Sequence, residues 1–537
     1  MVYYAPYAAK LEHEPTAMSA NAVLAPTQTT FRAANLLRLL LIVAVVLTPT
    51  AVTFGLANIL NITPIDAAPT ISDEILYWHQ VATFREVGFN GGYYTINEVP
   101  APAEFSHFFT KGPLFPAIYG TLGRLLGWAP SAALGFNLIF VTIGLMIFVI
   151  VTKPTTTQLL VALPLVATFW PLMLNIPLVM QEAFQCAVAI ALAGLFYIAI
   201  KQGPNLSRKR RWLFVLIIVA SSLVKGITLA VLLVPLLLVT TRKRSLMQTV
   251  IALAQAGALI IVSYMTFRLV SLPESRIMSG LSEDMAGGAG SMLAGLWTDT
   301  RENIEMFAQG RSLEIVLRFQ VLFIAIISGI GVLRGMWPGR GKARLAPTDT
   351  RFAESLFHLC NLGAILAANV IFYDVQIWRD YRVMLPHLLL SALVMLAFRR
   401  WWLVTLLIVV HLLLWPKFRE TYAERHLPPE SDINFDITTF EDTMNQYVHY
   451  DAGESNSWCN TMLMSSFHQI QQRVIGVPAG IGLSSFRALD RLEYPIKSRY
   501  VLMDHTRVDT TGYPLNLEVL AETDIGTLYL NRDADCD

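Results

Sequence analysis

Short basic runs separate long apolar stretches along most of this chain, and that alternation restricts it to few architectures. The runs are Lys201 with Arg208, Lys209, Arg210 and Arg211; Arg242, Lys243 and Arg244; Arg334 with Arg340, Lys342 and Arg344; and Arg399 with Arg400. A hydrocarbon layer about 30 Å thick takes about 20 apolar residues per helix. Basic residues collect in the loops that stay in the cytoplasm, so the runs orient whatever spans lie between them. With 54% hydrophobic and 15% charged residues among 537, the chain carries more apolar surface than one soluble core hides. An α-helical polytopic membrane protein is predicted. The net charge of +1 is balanced, which argues against a nucleic-acid partner, because a phosphate backbone needs uncompensated Lys and Arg.

Fitting spans to the apolar stretches predicts about eleven: 36–56, 129–151, 158–173, 179–200, two short helices between the basic runs at 211 and 242, 247–270, 313–333, 352–372, 383–398 and 401–415. The thirty residues between Arg211 and Arg242 must leave and return, which predicts a broken pair meeting at Val224-Lys225-Gly226, with Lys225 inside the bundle. The orientation gives a cytoplasmic tail over 1–33 and a transmembrane domain over 34–415 with external loops 57–128 and 271–312. Beyond it, 416–537 is predicted as a small extracytoplasmic α/β domain, since alternating runs such as Tyr500-Val501-Leu502-Met503 read as strands. The first thirty residues lack a basic segment leading straight into an apolar core and a cleavage site, so the amino terminus is expected to stay cytoplasmic. Cys459 and Cys536 fall in the exported tail, where a disulfide and two unpaired thiols are both open readings.

Charge near hydrocarbon is expensive to keep, so charged residues at the membrane face are the candidates for chemistry. Asp73 and Glu74 follow Ser72 just after the first span. A partly desolvated carboxylate there suits a general base for a hydroxyl. Ser72 is also a good N-cap, so an acid pair that only starts a helix is the plainer reading. His107 and Lys111 lie in the segment leading to Gly112-Pro113-Leu114, and a lysine there suits a lipid-linked phosphate or an ordinary headgroup. Arg379, Asp380, Tyr381 and Arg382 precede Pro386 in a short connection; the two arginines share a helical face and suit phosphate oxygens, or an Arg–Asp pair seals the loop. Glu182 and Lys225 are further charges within apolar segments. All of these come out on the external side, which predicts a single site.

At these residues the chain resembles the GT-C superfamily of integral-membrane glycosyltransferases, of the kind that includes protein O-mannosyltransferases and lipid A aminoarabinose transferases. The matching segments are Asp73-Glu74, Lys111-Gly112-Pro113-Leu114, Leu223-Val224-Lys225-Gly226, and Arg379-Asp380-Tyr381-Arg382 with Pro386, in order across 35–415. The resemblance implies an inverting transfer of a sugar from a polyprenyl-phosphate-linked donor to a glycan, lipid or protein hydroxyl, at the outer face of a bacterial plasma membrane. It implies Asp73 as the base, Glu74 as helper, and Lys111, Arg379 and Arg382 on the donor phosphate, with His107, Glu182, Lys225 and Tyr381 as further candidates. Mg²⁺ or Mn²⁺ at Asp73 and Glu74 is an open possibility, and no other cofactor is implied. Thr110-Lys111-Gly112-Pro113 stands where relatives often carry an acid or histidine and a double proline, which leaves the subfamily open. A surface-polysaccharide polymerase or ligase, and a transporter of lipid-linked sugar, are the alternatives.

Overall fold

The computed structural model describes residues 28–62, 72–91, 94–96, 112–129, 131–225, 227–241, 245–270, 287–307, 309–310, 312–336, 350–372, 381–426, 437–454, 456–464, 475–485, 496–504, 516–534 and 536. Helices α1 (Gln28–Ile59), α2 (Ser72–Val87), α3 (Leu114–Leu126), α4 (Ala132–Thr152), α5 (Thr156–Thr168), α6 (Trp170–Asn175), α7 (Gln181–Gln202) and α8 (Arg208–Ser222) come first. They are followed by α9 (Ile227–Ala230), α10 (Leu233–Val239), α11 (Leu246–Leu269), α12 (Ala289–Met306), α13 (Ser312–Met336), α14 (Thr350–Phe372), α15 (Tyr381–Ala397), α16 (Trp401–Leu413), α17 (Trp415–His426) and α18 (Ile437–Tyr447).

The bundle is a polytopic membrane structure. Among the described residues, five helices are long and apolar enough to cross a bilayer: Asn35–Ile59, Ala132–Thr152, Gln181–Asn205, Leu246–Leu269 and Leu313–Met336. Trp401–Leu413 with Trp415–Arg425, bent by 57°, makes a sixth if counted as one span. The remaining apolar stretches read from the sequence also form helices, but shorter or more polar ones. Thr156–Thr168, Thr228–Val239 and Arg382–Ala397 are among the shorter, and α15 in particular is sheathed by protein, with Leu385, Leu388, Leu390 and Val394 fully buried. A helix enclosed by its neighbours does not have to match the bilayer thickness with its own length. On the outside, Ile139, Ile143, Met146 and Ile150 of α4 line one exposed face at helical spacing, as do Leu36, Leu40, Val43 and Leu47 of α1. Apolar stripes of that extent belong against lipid.

Close helix contacts rest on small residues. A Cβ on Gly144 of α4 would stand 2.5 Å from the Ala187 carbonyl oxygen of α7, so the absence of a side chain is what lets these two backbones meet. At one end of the bundle, Arg400, just past α15, holds Glu354 of α14 through two guanidinium nitrogens, Nε at 2.8 Å and Nη2 at 2.5 Å. The other end of α15 carries Arg382.

Six strands form one sheet in the order β1-β3-β2-β4-β6-β5: β1 (Tyr94–Ile96), β2 (Thr461–Met464), β3 (Gly482–Ser485), β4 (Tyr500–Asp504), β5 (Leu517–Glu522) and β6 (Gly526–Asn531). The first four positions are parallel and the β4-β6-β5 edge is antiparallel. Strand alternation sorts the side chains cleanly. Met462, Met464, Leu483, Tyr500 and Leu502 face a core shared with Ile75, Tyr77, Trp78 and Val81 of α2, while Leu463, Val501 and Met503 form a small core on the far side. Phe440, Met444 and Val448, one helical turn apart, bring α18 onto the α2 side. The α/β character expected of the C-terminal region is present, and its sheet also takes in β1, from the segment after α2.

A disulfide joins Cys459, before β2, to Cys536, after β6, with Cα atoms 5.5 Å apart and a sequence separation of 77. Closing a loop of that size restricts the unfolded chain, so Cys459→Ser is expected to lower the stability of the sheet by about 2–5 kcal/mol. Limited proteolysis of the C-terminal region in membranes, with and without the substitution, measures it.

Candidate active site

The site is built where α2 crosses the ends of α7 and α15. Ser72, Asp73 and Glu74 open α2, where carboxylates meet the positive end of the helix dipole. Glu74 is buried at 3% exposure, and its Oε1 accepts the backbone N–H of Val179 at 2.8 Å. The segment between α6 and α7 is fixed a second time by Asn137 of α4. Its amide donates to the carbonyls of Ile176 at 2.8 Å and Leu178 at 2.9 Å, and its Oδ1 accepts from Tyr119 of α3 at 2.5 Å. Those bonds set the start of α7, and with it Glu182.

Glu182 organises the cations. Its side chain is 2% exposed, and Oε1 accepts from Lys225 Nζ at 2.5 Å and lies 3.7 Å from Arg382 Nε. Lys225 comes from the break between α8 and α9, where the backbone turns through Leu223, Val224 and Lys225 before the helix resumes at Ile227. Breaking the helix there turns an ammonium group inward that a continuous helix would not present in this way. Arg382 comes from the first turn of α15; its Nη2 reaches Asp73 Oδ2 at 3.5 Å and its Nη1 approaches Met180 Sδ at 3.7 Å. Charges therefore alternate along a row, Lys225, Glu182, Arg382, Asp73, whose most buried member is Glu182. Asp73 is the most open of the four, a quarter exposed, against 13% for Arg382 and 9% for Lys225.

Four of the residues singled out in the sequence, Asp73, Glu182, Lys225 and Arg382, are thus brought together, while Glu74 turns to the Val179 amide. His107, Lys111 and Arg379 lie outside the described residues, as does the side chain of Tyr381. The sequence reading passed over Tyr77. One turn past Asp73 on the same face of α2, it is fully buried against Phe115, with ring centroids 5.1 Å apart. Burial first, then the charges of Asp73 and Glu182, push its phenol well above the ordinary tyrosine range, partly offset by Arg382. It stays a neutral donor at the edge of the charged row. The spacing i, i+4 from Asp73 was the available signal.

Asp73 and Glu74 are poorly disposed to share a divalent cation. One faces an arginine, the other is spent on a backbone amide, and among the described residues no three His, Cys, Asp or Glu side chains converge as a metal site.

Above the site, α2 is tied to the sheet by His79, whose Nε2 bonds the Ile481 carbonyl at 2.6 Å, and by Thr83, whose hydroxyl accepts the Gly480 N–H at 3.2 Å. Burial lowers the His79 imidazole from 6.5 to about 4, the Ile481 bond opposing only in part. Because the folded value lies below the unfolded one, the neutral ring's contribution is complete above about pH 6.5 and fades as pH falls toward 4. The full swing is on the order of 3 kcal/mol. Hydrogen-exchange protection factors over 475–485, corrected for the pH dependence of intrinsic exchange, are expected to fall between pH 6.5 and 4 in the wild type, and His79→Gln is expected to flatten that dependence.

No protein-family model matches this chain, and no curated sequence does. Solved structures that resemble it include the following two. The oligosaccharyltransferase of Archaeoglobus fulgidus, crystallised with Zn and sulfate, is 10% identical at a TM-score of 0.44, over 86% of this chain and 68% of that one. ArnT from Cupriavidus metallidurans, in its apo state, is 14% identical at a TM-score of 0.40, over 89% and 97%.

Proposed function

We propose that the chain is an inverting glycosyltransferase that moves a sugar from a polyprenyl-phosphate-linked donor to an acceptor hydroxyl at the outer face of a bacterial inner membrane. The observation that carries this reading is the row Lys225, Glu182, Arg382, Asp73, which sets two cations beside one open carboxylate at the end of a membrane bundle. Breaking a glycosidic bond to phosphate leaves negative charge on the phosphate oxygen, and fixed cations nearby lower the cost of that charge. Lys225 and Arg382 are the described groups suited to it, with Lys111 and Arg379 assigned to the same phosphate from the sequence. Asp73 takes the acceptor proton as the hydroxyl oxygen attacks the anomeric carbon from the face opposite the leaving group. Glu182 is a positioning residue, because it orients both cations. Glu74 serves by holding α2 to the start of α7, and Tyr77 supplies a neutral hydroxyl beside the base. Acceptors of the glycan, lipid or protein class fit an open carboxylate under a docked sheet.

In membranes expressing the wild type, radiolabel is expected to pass from one of a panel of polyprenyl-linked sugars to an endogenous acceptor, above the level in membranes without it. Label that crosses the bilayer while remaining on its lipid would overturn the reading in favour of a transporter. Lengthening of a lipid-linked glycan would favour a polymerase.

A further inference from the structure

The row of charges has a property that its members lack singly: two cations and two carboxylates sum to zero, and the arginine in the middle touches both a fixed acid and an open one. Glu182 is buried and holds Lys225, and it meets Arg382 at Nε, 3.7 Å away, so the inner end of the guanidinium lies against Glu182 and the outer end is turned toward the open side of the row. That end is spent on Asp73, at 3.5 Å, a contact longer than a good charge-assisted hydrogen bond.

Resting on the function proposed above, we infer that Arg382 is exchanged during the reaction: its Nη2 leaves Asp73 for the leaving phosphate as Asp73 takes up the acceptor proton. The charges balance at every point. Before transfer the phosphodiester carries one negative charge and Asp73 another. As the acceptor oxygen bonds to the anomeric carbon, the carbon–oxygen bond to phosphate breaks and its electron pair stays on the phosphate, raising that group to two negative charges. The acceptor proton neutralises Asp73 at the same time. The carboxylate thus stops needing the arginine at the step in which the phosphate begins to need it, and no net charge is created in the site. Before transfer, the same contact keeps the base occupied while no donor competes for the guanidinium. Arg382 thereby couples the two ends of the reaction, because it is the cation of the row that contacts Asp73.

The inference predicts that Asp73 and the phosphate product compete for one guanidinium. Binding of a tritiated polyprenyl monophosphate to the full-length protein in nanodiscs measures this without turnover. Asp73→Asn is expected to tighten binding about tenfold, the size of a modest coupling between close charges. In an Arg382→Gln background, Asp73→Asn is expected to add nothing. Should the glutamine variant fail to fold, Arg382→Lys, which keeps a charge beside Glu182 but is too short to serve Asp73 and the phosphate in turn, replaces it with the same expectation. Equal tightening in both backgrounds would reduce the effect to removal of a nearby negative charge and overturn the exchange, as would an unchanged affinity in Asp73→Asn. A wild type that binds no polyprenyl monophosphate would instead overturn the proposed function, and the exchange with it.

Discussion

Asp73→Asn is expected to reduce glycosyl transfer by about 10² to 10⁴ while leaving expression intact and donor binding no weaker. A general base typically supplies that range, and the amide keeps the shape of the carboxylate while losing the ability to accept a full proton. The structure favours a clean result. Asp73 is a quarter exposed and the amide is isosteric with the carboxylate, so the substitution opens no cavity. The deficit belongs in kcat, measured at saturating donor and acceptor, because the interaction removed matters most as the proton moves. Glu74→Gln makes the contrast. The Glu74 carboxylate accepts the Val179 N–H from within the protein, so its loss is expected in thermal stability first and in turnover second. A pair of variants with the reverse ranking would move the base from Asp73 to Glu74.

The second large effect concerns the interior of the row. Lys225→Met is expected to destabilise the protein by about 3–5 kcal/mol, the usual penalty for removing one partner of a buried ion pair. The penalty arises less from lost attraction than from what remains. Glu182, 2% exposed, would lose its ammonium partner at 2.5 Å and keep Arg382 at 3.7 Å. Replacing both partners, Lys225→Met with Glu182→Leu, is therefore expected to recover much of the stability, because no uncompensated charge stays behind. It is not expected to recover activity, since the anchor for Arg382 is gone as well. Thermal unfolding in detergent together with a transfer assay on the same preparations separates the two. A double variant no more stable than Lys225→Met alone would mean that the carboxylate has partners beyond these cations.

How far the sequence led depends on the range over which each feature is determined. The break before Ile227 could be read because two basic runs thirty residues apart leave room only for a pair of short helices, and Lys225 duly lies in that break. The strands at 461–464 and 500–504 could be read because alternation is a local property. What paired with what could not. Glu182 and Lys225 are 43 residues apart and Arg382 and Asp73 are 309, so nothing local marks them as partners. Glu74 looked like half of an acid pair. Adjacent residues on a helix face different directions, which is why it ends on a backbone amide while its neighbour ends in the site. The number of spans was read by a length ruler that applies to helices facing lipid, and α15 is a helix that does not. Lys111 and Arg379, assigned to the phosphate from the sequence, stand as proposals.

The pairing of β1 with β3 has a consequence for how the protein is made. Thr95 and Ser484, neighbours across the sheet, are separated by about 390 residues, which takes a ribosome roughly 20–80 s to cover. Through that interval the segment after α2 waits with its strand edge unpaired, and α2 has neither the Ile481 carbonyl for His79 nor the methionines of β2 to cover it. Asp73 is therefore synthesised long before it is roofed. A chain stopped between residues 382 and 485 would carry the whole row of charges and still lack the sheet that packs on α2, so the charged row is complete in the chain well before its cover is.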